Sequence, residues 1–227
     1  MSTAFDAVRF AQLPLVAILR GQPAAHVAPI VRTLGAAGFC AVEVTMNSPG
    51  AADQIRAAVE LAPDGMSIGA GTVTTLAELD AAQAAGAGFI VTPVVVPDVI
   101  NACVHRGLPV FPGAFTPTEV FHAHRLGATM VKLFPAHRLG PGYLRDLLAP
   151  LSTVRVLATG GITPETLPEY VRAGAAGFGL GSPLLMPERL AAGDWYWLRQ
   201  RAAEFCRAWR AAYLENAASG SPRSAST

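Results

Sequence analysis

Residues 125–135 read RLGATMVKLFP. A helical pattern ends at Gly127, a residue suited to a left-handed helix C-cap, and a short apolar run follows at once. The same order recurs in GAAGFCAVEVTM (35–46), AAGAGFIVTPVV (84–95), HRGLPVFPGAF (105–115) and RAGAAGFGLGS (172–182). The capping glycines Gly38, Gly86, Gly107, Gly127 and Gly174 lie 48, 21, 20 and 47 residues apart, so each long gap holds two units of the short kind. That spacing is a βα repeat. LVAILR (15–20), SIGAGTV (67–73) and RVLATGG (155–161) bring the strands to eight. The runs are apolar without strict alternation, as strands buried on both faces are, and TTLAELDAAQAAG (74–86) and TPETLPEYVRAG (163–174) carry helical periodicity. The prediction is a single (β/α)8 TIM barrel; an open doubly wound sheet would need fewer strands.

Outside the repeat, MSTAFDAVRFAQL (1–13) reads as a short opening helix and WYWLRQ (195–200) starts a long closing one. One domain is expected over residues 1–216, with residues 217–227 a disordered polar tail. With 227 residues, 52% hydrophobic and 15% charged, the chain can bury a barrel-sized core. A net charge of +1 with scattered arginines gives no footprint for nucleic acid or an anionic membrane, which leaves a small molecule as the expected partner. The mean hydropathy of +0.37 is high, yet no apolar run nears the roughly 20 residues of a membrane helix, and the N-terminus has no secretory-type core. Cys40, Cys103 and Cys206 are odd in number and far apart, which argues against a disulfide framework or a thiolate metal site and for a cytoplasmic protein.

Sixteen of the seventeen Lys and Arg residues are arginine, and the exception is Lys132. A guanidinium stays protonated, whereas a desolvated lysine amine can be neutral, and only a neutral amine attacks a ketone. Met130, Lys132 and Phe134 share one face of an apolar strand, where burial pushes an amine toward neutrality. A buried ion pair or a lysine snorkelling from a strand end would account for the residue equally well. Glu43 lies in another apolar strand, CAVEVTM, on a face with Ala41 and Thr45; there it must be paired, protonated or solvated in a cavity. Neutralising Lys132 and serving its proton transfers are compatible roles for it.

Arg20 closes the first strand, at the end of a barrel where active sites form, and can grip a carboxylate bidentately unless it is simply a surface arginine. Thr72 in GAGTV offers a hydroxyl and neighbouring backbone donors; the GAG fragment lacks the third glycine of a dinucleotide fingerprint. Thr159-Gly160-Gly161 and Gly179-Leu180-Gly181-Ser182 follow strands seven and eight, where barrels commonly bind phosphate. Thr163 and Pro164 are expected as N-cap and first residue of the next helix, and another helix is expected soon after Ser182. The alternative is that these glycines only make tight turns. His26, His105, His122, His124 and His137 form no ligand pattern, so neither metal nor cofactor is expected, and no GxSxG or cysteine signature marks another nucleophile.

The pieces PLVAILRG, AVEVTMNSPG, IGAGTV, FIVTP, FPGAFTPTE, VKLFPA, GP-Y, TGGITPE and GLGS, between Pro14 and Leu185, resemble the family of 2-keto-3-deoxy-6-phosphogluconate and 2-keto-3-deoxy-6-phosphogalactonate aldolases. The resemblance implies a class I lyase of the Entner-Doudoroff or galactonate-degrading kind, with Lys132 as Schiff-base lysine and Glu43 as general acid/base. It implies Arg20 and Thr72 on the pyruvate carboxylate, Pro93 and Phe134 as apolar walls, and Gly160, Gly161, Gly181 and Ser182 on the phosphate. A homotrimer is implied as well. On the carbon-4 epimer the residues point both ways: MNSP, with Asn47 where many gluconate enzymes carry arginine, resembles the galactonate branch, while Thr159 resembles the gluconate branch. A lyase of an unphosphorylated 2-keto acid such as 4-hydroxy-2-oxoglutarate, a phosphosugar isomerase or epimerase, and a non-catalytic phosphosugar-binding barrel stay open as rivals.

Overall fold

The computed structural model describes residues 4–218. Eight parallel strands close on themselves in chain order: β1 Leu15–Leu19, β2 Ala41–Thr45, β3 Ser67–Gly71, β4 Ile90–Thr92, β5 Val110–Ala114, β6 Val131–Leu133, β7 Val156–Thr159 and β8 Gly177–Leu180. Every strand residue is buried, because one face looks into the barrel and the other onto the helices. The connecting helices are α2 Ala24–Ala36, α3 Ala51–Leu61, α4 Leu76–Ala84, α5 Pro97–His105, α6 Pro117–Arg125, α7 Ala136–Leu148 and α8 Leu167–Arg172. After β8 come α9 Pro187–Ala191 and α10 Trp195–Ala218, the latter lying along α2 and α8. Gly38, Gly86, Gly107, Gly127 and Gly174 all have positive φ just past helix ends, as the repeat predicts. Side chains such as Leu15, Val42, Ile68, Val131 and Phe178 form the layer between strands and helices.

The opening helix, α1 Ala7–Gln12, is capped by Asp6, whose side chain accepts from the Arg9 N–H, and it delivers Phe10 to the N-terminal end of the barrel. There Phe10 joins Val16, Ala41, Phe89, Val91, Phe111, Met130 and Leu157. Phe5 packs on this plug from below, 5.0 Å from Phe10 and 5.5 Å from Phe89 between ring centroids. Gly69 makes room for the plug, since a Cβ there would collide with the Phe89 ring.

Two expectations shift. Thr163 makes the bonds expected of a cap, its Oγ1 accepting from the Thr166 N–H at 3.4 Å and its carbonyl from the Leu167 N–H, but Pro164 lies in a turn and α8 itself starts at Leu167 with Thr166 as its N-cap. The reason is Pro168, which has no N–H for the carbonyl of Pro164 and would press its ring against it, so no helix runs unbroken through both prolines. Similarly, Ser182 is followed first by a turn on the Gly181 carbonyl, and α9 begins five residues later at Pro187. The closing helix continues through Ala217 and Ala218, two residues into the expected tail, and the rest of that tail lies outside the described residues. No helix among the described residues is long and apolar enough to cross a membrane.

Candidate active site

Lys132 sits in the middle of β6, paired in register with Gly113 of β5, and is 4% exposed. Alternation along the strand turns it to the same side as Met130, into the barrel and just above the aromatic plug. Its Nζ lies 5.2 Å from the centroid of the Phe134 ring. Burial lowers its pKa from the ordinary lysine value; Glu43 pulls it back up and Arg20 pushes it further down. The amine is thus biased toward its nucleophilic form.

Glu43, 1% exposed in the middle of β2, is pushed up by burial against the opposing pull of Lys132 and Arg20. Its Oε1 has no hydrogen-bond partner, a costly state for a buried carboxylate and one that a substrate hydroxyl or a water relieves. The carboxyl occupies the place where a side chain on Gly71 would be, and a Cβ at Gly71 would overlap Oε1. Glycine at the end of β3 is therefore what lets Glu43 lean across the barrel. Both groups feel burial as the largest influence, so the pair is held toward its neutral forms.

Arg20 follows β1 and is exposed at the mouth. Its Nη2 donates to Thr72 Oγ1 at 3.2 Å and its Nη1 to Asn47 Oδ1 at 3.4 Å, so loops from three strands meet on one guanidinium. Behind them Ser48 Oγ accepts from the Gly21 N–H at 2.9 Å and lies 3.0 Å from Thr45 Oγ1, which donates to the Leu19 carbonyl. This buried chain ties the end of β1 to the end of β2. Thr72 has φ +57°, in the left-handed region that β-branched residues avoid. Right after it, the Thr75 and Glu78 capping box starts α4 and fixes the loop.

The remaining predicted residues form the rim. Pro93 follows β4, and its carbonyl stands where a side chain on Gly113 would begin. Thr159, buried at the end of β7, sits beside Gly179, in whose missing side-chain space its Oγ1 lies. Gly160 and Gly161 both have positive φ, +96° and +71°, and Phe134 packs over Gly160. Gly181 and Ser182 follow the neighbouring β8, whose Gly179 pairs with Thr159. Sequence reasoning misses Gly71, which leaves room for Glu43, His137, which bonds Gly160, and Ser48, which holds Gly21 next to Arg20; only the glycine in SIGAG hints at the first.

The described residues hold no cluster of three or more His, Cys, Asp or Glu able to bind a metal. The cysteines are buried and free, and burial raises Cys40 and Cys103 to about 11, which keeps them as thiols.

A lysine freed by burial, a carboxyl near it with one oxygen unpartnered and a guanidinium at the mouth are the parts an imine-forming lyase of a keto acid needs. Comparison with known proteins agrees. The family model for KDPG and KHG aldolase matches residues 7–200. The 2-dehydro-3-deoxy-6-phosphogalactonate aldolase of Escherichia coli is 42% identical over 88% of this chain and 97% of its own length. The 2-dehydro-3-deoxy-phosphogluconate aldolase of Treponema pallidum is 38% identical over 86% and 91%. The solved native KDPGal structure superposes with a TM-score of 0.84 at 41% identity, covering 89% of this chain and 97% of that one. The chain belongs to the KDPG and KHG aldolase family and is a carbon-carbon lyase.

Proposed function

We propose that Lys132 and Glu43 carry out the family's aldol cleavage here, splitting a 2-keto-3-deoxy-6-phospho-sugar acid into pyruvate and D-glyceraldehyde 3-phosphate. The observation that carries this is the burial of the chain's one lysine beside an unpartnered carboxyl, under a mouth closed by Arg20. Neutral Lys132 adds to the ketone at carbon 2, and the carbinolamine takes the proton of neutral Glu43 as it expels water, leaving a protonated imine beside a Glu43 carboxylate. Glu43, through a water, takes the proton of the carbon-4 hydroxyl as the bond between carbons 3 and 4 breaks; the electrons flow into the imine and give the pyruvate enamine. The aldehyde leaves, Glu43 returns the proton to carbon 3, and hydrolysis frees pyruvate. Arg20 and Thr72 hold the carboxylate, Pro93 and Phe134 wall the pyruvyl part, and Gly160, Gly161, Gly181 and Ser182 offer backbone and hydroxyl donors to the phosphate. Holding that remote group positions the reacting centre.

Both carbon-4 epimers are substrates in this reading, since Asn47 and Thr159 favour opposite branches. The protein works as a homotrimer in the cytoplasm; exposed Phe115 and Phe121, the latter lining an apolar groove of about 530 Å³ between α6 and α7, supply surface for a second copy. The test is to incubate the protein with each epimer, reduce with borohydride and map the adduct by peptide mass spectrometry. A pyruvyl adduct on Lys132 from both epimers is expected. Folded protein that gives no adduct at Lys132 sinks the mechanism, and turnover of one epimer alone sinks the dual specificity. Light scattering checks the trimer.

A further inference from the structure

Next to the Gly160–Gly161 turn stands a side chain that the catalytic scheme leaves unused. His137, near the start of α7, donates its backbone N–H to the Gly160 carbonyl at 3.2 Å. Its ring Nδ1 lies 3.3 Å from the same oxygen, and since a carbonyl only accepts, Nδ1 carries the proton. The imidazole also covers Gly161: a Cβ there would stand 2.7 Å from His137 Cβ and Cγ and 2.9 Å from Nδ1. Thus one residue holds one carbonyl with two donors and packs against the next Cα.

The consequence follows from the geometry of the peptide bond. In a trans peptide the C=O and the following N–H lie in one plane and point in opposite directions. Drawing the Gly160 carbonyl toward α7 therefore turns the Gly161 N–H away from α7, and hydrogen bonds at the oxygen polarise that N–H into a stronger donor. No acceptor among the described residues takes the Gly161 N–H. Positive φ at both glycines makes this turn available to the backbone without fixing the direction of the peptide plane, and a second hold is needed to fix it.

We infer that His137 is a positioning residue for phosphate recognition: with its Nδ1–H and backbone N–H it locks the Gly160–Gly161 peptide so that the Gly161 N–H faces the substrate's phosphomonoester. This rests on the anion site proposed above. The ring acts through the glycine peptide and makes no contact with the phosphate itself.

Asparagine and glutamine separate these two roles, because an Asn amide reaches the position of Nδ1 and a Gln amide the position of Nε2. Inorganic phosphate serves as a competitive inhibitor of cleavage, and its Ki is compared with the KM of the phosphorylated substrate in His137→Ala, His137→Asn and His137→Gln. Loss of one polarised hydrogen bond predicts Ki and KM rising together by about tenfold in His137→Ala and His137→Gln, while His137→Asn stays within about threefold of the parent. Melting curves and borohydride trapping of the pyruvate imine verify that each variant is folded with a working lysine. Rescue by glutamine instead of asparagine would make the imidazole a direct ligand and overturn the inference. Unchanged Ki in all three variants overturns it too. Failure of inorganic phosphate to compete in the unaltered protein overturns the anion-site reading, and this one with it.

Discussion

Within one barrel interior, a few ångströms separate two unlike materials. Toward the N-terminal end the space is filled by Phe10, Phe89 and Phe111, with 5.6 Å between the centroids of the last two and few polar atoms to satisfy. Toward the other end stand Lys132, Glu43, Thr159 and, at the mouth, Arg20 and Thr72. The first set is held by burial alone, worth about 25 cal/mol per Å² of apolar surface. The second is held against its own preferences: two ionisable groups out of water, a carboxyl oxygen without a partner and a threonine in a left-handed conformation. The plug supports the fold and the mouth draws on it, so stability and catalysis respond to different substitutions.

The largest effect that would sharpen this contrast is at the lysine. Lys132→Met is expected to lower kcat/KM on the order of 10⁴-fold or more, since the covalent step is gone. Its stability should stay within about 1–2 kcal/mol at neutral pH, because relief of the buried amine is offset by loss of the neighbour that Glu43 leans on. Denaturant melts alongside borohydride trapping check both halves, and a large loss of stability would break the comparison. Glu43→Gln should reduce kcat by about 10²–10⁴-fold while pyruvate is still trapped on Lys132. Phe111→Ala, by contrast, is expected to cost about 3–5 kcal/mol in urea unfolding and to leave kcat of the folded fraction within a few-fold. If activity in folded protein falls as far as it does in the mouth variants, the two layers are not separable.

Smaller effects test the strain. Thr72→Gly removes the left-handed penalty and the Arg20 contact together, so the melting temperature should rise or hold, with about 1 kcal/mol of relief, while KM increases. The smallest is a pH effect. Lys132 has a folded pKa below its ordinary 10.5, so between those two values the unfolded chain binds more protons than the native one and stability rises with pH. The cost of burying the amine is present in full below the lowered pKa and gone above 10.5. The stability of Lys132→Met relative to the parent should therefore fall as unfolding is measured at pH values approaching 10.5, and a difference independent of pH would contradict the burial account.

Much of this architecture is legible in the sequence. Glycines 38, 86, 107, 127 and 174 mark helix ends because the left-handed cap is a local requirement of the backbone. Strand count and barrel closure follow. Lys132 stands out by composition, and Glu43 by its position in an apolar run. The start of α8 is misleading because Thr163-Pro164 satisfies the local rule for a helix start; the veto comes from Pro168, four residues on. Less visible still are contacts that depend on how strands face one another. Nothing local says that Glu43 fills the space above Gly71, that Ser48 anchors Gly21, or that His137 reaches back to the β7 turn. Those distances are set by closure of the barrel, and a single sequence does not carry them.

A chain whose one lysine is 4% exposed presents no lysine amine on its outside. Aldehydes condense with neutral amines and spare the permanently charged guanidinium. Glyceraldehyde 3-phosphate, the product, is such an aldehyde, released where its local concentration is highest. A lysine-rich surface would be slowly glycated by what the enzyme makes. Here arginine carries the exterior positive charge, and the one side-chain amine that an aldehyde could modify is buried inside the barrel.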